Sequence, residues 1–167
     1  MSAWSFPVKL DDIPETGRTY EFSADEPTRR KIASQAEIDG VSRLQATIDV
    51  RRQGARLHAS GQVIADVEQT CVVSLEPLTN HIEEPIDITF APVDLRAPER
   101  PYSETLIQHE SEPLVNNIAD LGAAATEFLL LAIDPYPRKE GAIFNPQLPE
   151  EPPVGPFAAL ADLKKKV

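Results

Sequence analysis

Few residues of this 167-residue chain have the type and spacing that chemistry requires. Its one cysteine, Cys71, is followed by Val72 and Val73. These neighbours supply no activating cation, so Cys71 reads as a small buried hydrophobe rather than a nucleophile. A lone thiol makes neither an internal disulfide nor, by itself, a zinc site. His58, His81 and His109 stand 23 and 28 residues apart, too far for a local metal motif. Glu83 and Glu84 are neighbours, which a strand would send to opposite faces. Asp87, Glu83 and Asp94 form a looser set that suits Mg²⁺-dependent RNA processing. No Gly-rich phosphate loop, GxSxG elbow, HExxH or EF-hand spacing occurs. What remains is positive charge. Arg29, Arg30 and Lys31, and then Arg51, Arg52 and Arg56, are candidates for contact with RNA phosphates. Aromatic residues, at 6%, do not interleave with them as a base-stacking platform would.

The charge has an address. Residues 1–60 hold nine basic and nine acidic side chains, and residues 134–167 hold five of each. Between them, residues 61–133 set only Arg96 and Arg100 against thirteen acids, so the whole net charge of −11 lies there. That segment repels RNA, and either solvates strands and a loop or receives a basic partner. A hydrophobic content of 41% is enough for one core. No apolar run approaches the roughly 20 residues of a membrane helix. The start, Met1-Ser2-Ala3-Trp4, has neither a basic nor an apolar signal region, and a cytoplasmic location is expected.

Periodicity supplies the elements. Phe6, Val8 and Leu10 alternate as a first strand, which Asp11-Asp12-Ile13-Pro14 ends. A short run, Thr19–Phe22, follows. Ser23 and Glu26 have capping-box spacing and Pro27 suits a first turn, predicting a helix over about 26–37 with Arg29, Arg30 and Lys31 facing outward. Residues 42–67 predict a long antiparallel hairpin turning at Gln53-Gly54, with Val50 opposite Leu57, Asp49 opposite His58 and Arg51 opposite Arg56. Val72, Val73 and Leu75 start another apolar stretch, and Ile82–Phe90 resumes a strand in which Pro85 marks an edge or a bulge. Asn116 or Asn117 then caps a helix that runs to about Ile133 and stops before Pro135. Seven prolines lie between Pro135 and Pro156, and Phe157–Leu163 before Lys164-Lys165-Lys166 reads as a short amphipathic helix.

Three of these runs resemble a known family. Gly61 to Pro77, which contains Cys71, Leu75, Glu76 and Pro77, resembles the central signature of the YceD family, long known only as a domain of unknown function. Ile118-Ala119-Asp120-Leu121-Gly122, with Glu127 and Leu129–Ala132, resembles its late helix. Asp134-Pro135-Tyr136-Pro137-Arg138-Lys139-Glu140-Gly141-Ala142-Ile143-Phe144 is similar to the form seen in alphaproteobacterial members. The resemblance implies a part in the accumulation or maturation of large-subunit ribosomal RNA, with no catalytic residue to carry over. Many members have a Cys-x-x-Cys pair and further cysteines after the late helix, which implies metal in those proteins. Here Ser74 takes the second place and the last run has no cysteine, so no metal or other cofactor is expected. Packing, stiffened by Pro135 and Pro137, is expected to hold what zinc would tie together.

The fold expected is α+β. An antiparallel sheet with a long hairpin, flat or curled toward a barrel, is packed by a C-terminal helix. A single domain over 1–145 includes an acidic flexible loop at 92–113, and a proline-rich tail fills 146–167. The function expected is that of a non-catalytic ribosome-assembly factor that binds an rRNA precursor, a basic ribosomal protein, or both. A protein-binding adaptor without RNA contact and a Mg²⁺-dependent RNA-processing enzyme are the alternatives. Neither a membrane nor DNA is expected as a partner.

Overall fold

The computed structural model describes residues 3–92 and 111–144. Its centre is a sheet of five strands in the order β2-β3-β4-β5-β6, formed by Arg18–Ser23, Gly40–Gln53, Arg56–Thr70, Pro77–Pro92 and Glu112–Leu114. Neighbours pair antiparallel except β6, which runs parallel to the end of β5 at Phe90–Pro92. Among the described residues β2 and β6 remain open edges, so the sheet does not close into a barrel. β1 (Pro7–Lys9) and β7 (Ile118–Asp120) form a separate two-stranded ribbon. Two helices complete the fold, α1 (Glu26–Gln35) and α2 (Leu121–Ala132).

Alternation makes the sheet one-sided. Leu44, Ile48 and Val50 of β3 and Leu57, Val63 and Val67 of β4 turn inward into the core, where α2 packs on β4 and β5, and all are buried. Their neighbours of opposite parity are polar apart from Ile64, mostly exposed on β3 and half-buried on β4. The hairpin turns at Gly54-Ala55, one residue later than its sequence predicts, because Gln53 pairs with Arg56. Gly54 has φ 67°, a conformation that glycine adopts without steric cost. Moving the turn by one residue shifts every partner by two, which keeps each side chain on its face but changes its neighbour. Val50 therefore meets Ala59, Asp49 meets Ser60 and Arg51 meets His58, so the unfavourable Arg51–Arg56 pair does not form. Gly61 lies between Ile48 and Ile86. A Cβ on it would stand 2.0 Å from the Thr47 carbonyl oxygen, so only glycine fits.

Both helices begin on an aspartate rather than on the caps expected from the sequence. Asp25, not Ser23, caps α1 by accepting the Thr28 N–H at 3.0 Å, and the Thr28 hydroxyl together with that N–H holds its carboxyl below the usual range. Asp120 caps α2 by accepting from Ala123 N–H at 3.1 Å. It also accepts from Phe6 N–H and from the Ser5 hydroxyl, and so clips the N-terminal segment to the helix. Asn116 and Asn117 are not caps. Their φ values of 53° and 59° form the left-handed turn that delivers β7 before the helix starts. Phe6 stacks on Phe22 at 4.3 Å, and Trp4 lies 4.9 Å from the same ring, which seals this side of the core.

β6 begins at Glu112, inside the range 92–113 expected as a loop. Residues 93–110 and the tail from 145 lie outside the described residues. Among the described residues Pro85 does sit on an edge, because there β6 covers only the last three residues of β5.

Candidate functional site

The sheet has two ends of opposite character. At one, the two signature runs that lie far apart in sequence meet. Residues 71–76 form a tight turn rather than the start of a strand, with Cys71 N–H donating to Glu76 O and Leu75 N–H to Cys71 O. Leu75 takes φ 59° and stays 77% exposed, so the apolar stretch Val72–Leu75 is surface, not core. The segment after α2 closes on this turn. Val72 N–H donates to Pro137 O at 2.9 Å, and the Gln69 amide donates to Asp134 O at 2.8 Å while accepting from Asn80. Lys139 pairs with Glu76 at 2.8 Å, which raises the ammonium pKa and lowers that of the carboxyl. Hydrogen bonds as well as packing therefore hold this joint. Pro137 is buried, whereas Pro135 and Tyr136 are exposed.

Cys71 is its hub. Its Sγ accepts N–H groups from Lys139 at 3.2 Å and from Val73 and Ser74, each at 3.4 Å. These donors favour the thiolate. The Lys139 N–H leads, the Ser74 hydroxyl and N–H follow, enclosure opposes them, and the thiol pKa falls to about 6. Val72 and Val73 carry no sign of this, because the largest contribution comes from a backbone donor 68 residues away and the next from the Ser74 hydroxyl. The side chain has no solvent access, so it is ionisable but shielded.

The other motif residues serve the frame. Pro77 starts β5, Leu121 is fully buried, and Gly141 takes φ 75° in a surface turn. Glu127 faces outward, its carboxyl pKa raised first by desolvation and then by Glu112.

The six candidate cations are divided rather than gathered. α1 packs on the beginning of β3, where Arg29 turns inward and donates to Val41 O at 3.2 Å and Ala24 O at 2.7 Å. It is a structural tie, not an outward-facing charge. Arg30 pairs with Glu26, and Lys31 is exposed. Arg51, Arg52 and Arg56 stand at the hairpin tip, roughly 33 Å away along β3 at about 3.3 Å per residue. All three are exposed. Arg51 uses one N–H on Asp49 at 3.0 Å, and Arg52 one on Gly54 O at 3.1 Å. A guanidinium has five, so both keep donors to spare. Arg18 joins them, since β2 pairs it with Val50 and its guanidinium lies 5.3 Å above the Tyr20 ring. Only the strand register reveals this fourth arginine.

The carboxylate set does not assemble. Glu83 and Asp87 lie on one face of β5, roughly 13 Å apart at strand rise, and Asp94 falls outside the described residues. Among those residues, no three His, Cys, Asp or Glu groups come together to hold a metal ion. His58 lies 3.8 Å from Asp87 rather than against Asp49, His81 bonds Asp66 at 2.5 Å, and His109 is outside the described residues. No described helix is long and apolar enough to cross a membrane.

A family model described as Large ribosomal RNA subunit accumulation protein YceD matches residues 59–164. No curated protein and no solved structure matches. The match starts inside β4, so it takes in both runs of the joint and leaves the α1 and hairpin-tip cations outside it.

Proposed function

The chain belongs to the YceD family, and from that membership we propose that it is a non-catalytic assembly factor for large-subunit ribosomal RNA. It acts in the cytoplasm and meets an rRNA precursor through the tip of its β3–β4 hairpin. The observation that carries this reading is the cluster of Arg18, Arg51, Arg52 and Arg56 at one end of the sheet, exposed at the tip and with guanidinium donors to spare. Arginine suits the task because its planar fork engages phosphate oxygens in pairs. At the opposite end, the Cys71 joint ties the segment after α2 to the sheet.

Affinity purification of the full chain from growing cells, with half the sample treated with RNase, tests the proposal. Ribosomal proteins should be recovered only without RNase. A basic ribosomal protein that survives RNase would favour the adaptor alternative and place the contact on the acidic β5 side. Mg²⁺-dependent cleavage of precursor RNA, lost in Asp87→Asn, would favour the enzyme.

A further inference from the structure

A groove of about 400 Å³ runs beside the joint, between the turn after α1, the end of β4 and the segment after α2. Its apolar wall is Ile38, Val72, Leu130 and Ile133, and Glu37 and Asp39 add carboxylates. Clefts of this size enclose several apolar groups. Val72 is 45% exposed although it lies beside the buried Cys71.

We propose that this groove is the docking site of the chain's own C-terminal segment, Phe157–Leu163, with Lys164, Lys165 and Lys166 set against Glu37 and Asp39. Three observations select this occupant. Pro135 and Pro137 line the groove, so the chain passes along it shortly before Phe144, the last described residue. From Phe144 to Phe157 an extended chain reaches roughly 43 Å at about 3.3 Å per residue, enough to double back. The chemistry is also complementary. Phe157, Leu160 and Ala161 recur at helical spacing, the three lysines follow directly, and the groove offers apolar wall and carboxylate in matching kinds. Finally, the family match continues to residue 164, through Leu163, which makes this segment part of the family pattern rather than a trailing end. Such a contact lays a second strap across the joint, beside the Cys71–Lys139 bond.

Amide hydrogen exchange on the full chain tests this. In the wild type, the amides of Leu160–Leu163 should exchange at least about tenfold more slowly than in an unstructured peptide. The double variant Leu160→Asp/Leu163→Asp should lose that protection and speed exchange at Ile38 and Val72. Protection of β3 and β4 must be unchanged, which shows that the core remains folded. Lys164→Glu with Lys165→Glu and Lys166→Glu should weaken the effect in the same direction. Three results overturn the proposal: tail amides exchanging freely in the wild type, groove amides indifferent to the variants, or protection that grows with protein concentration. The last would assign the groove to a second copy of the chain.

Discussion

The two ends of the β3–β4 hairpin use the same residue types for opposite purposes. At the joint end, apart from the exposed Lys31, charge is consumed internally: Arg29 on two backbone carbonyls, Arg30 on Glu26, Lys139 on Glu76. At the tip, Arg51 and Arg52 each commit one donor to a near neighbour and face water with the rest. In the sequence all six candidate cations look alike. The difference teaches that availability, not charge, separates a structural arginine from a binding one, and that availability is set by which carbonyls and carboxylates lie within reach.

The most disruptive way to break the comparison is to unlink the ends. Gly61→Ala places a Cβ against the Thr47 carbonyl and should cost about 3 kcal/mol or more in urea unfolding, as backbone overpacking does. Arg29→Ala comes next. It leaves two carbonyls without their charged donor and should cost about 1.5–3 kcal/mol, whereas Arg51→Ala, Arg52→Ala and Arg56→Ala should each stay within about 0.5 kcal/mol. Equal losses at the two ends would erase the distinction.

Cys71 sharpens it through pH. The folded thiol titrates near 6 and an unfolded one near about 8.5. Between these values the unfolded chain holds more protons, so this group makes stability rise with pH across the window and lose the contribution as pH falls through 6. Cys71→Ala should remove that slope in denaturation series at about pH 6, 7 and 8. The smallest effect is at Glu37, which ends α1 at φ 54° with Ile38 N–H returning to Ala33 O. Glu37→Gly suits that left-handed position and should stabilise by about 0.5–1 kcal/mol.

Much of the frame was legible because it rests on period-two alternation. The parity of Leu44 to Val50 and of Leu57 to Val67 assigned the correct faces even with the turn one residue out, since a two-residue shift of partners preserves parity. Caps were less legible. Asp25 and Asp120 compete with Ser23 and Asn116 in composition, and only the backbone path decides which side chain meets the free N–H groups. The joint was half legible. Its two runs could be picked out as family signatures, yet nothing local reports that Lys139 donates to Cys71, because that contact is made by tertiary folding. Arg18 stayed hidden for the same reason, as its place at the tip depends on the β2–β3 register.

The central claim is that the hairpin tip, and not the α1 end, meets RNA. The most direct test is the salt dependence of binding of the full chain to a large-subunit rRNA precursor fragment. Each phosphate that an arginine neutralises adds about 0.7–0.9 to the slope of log K against log salt, so replacing Arg51, Arg52 and Arg56 together by Ala should reduce that slope by about 2. Arg30→Ala with Lys31→Ala should leave it unchanged. A slope indifferent to the tip substitutions, or one that falls only with those in α1, would contradict the account.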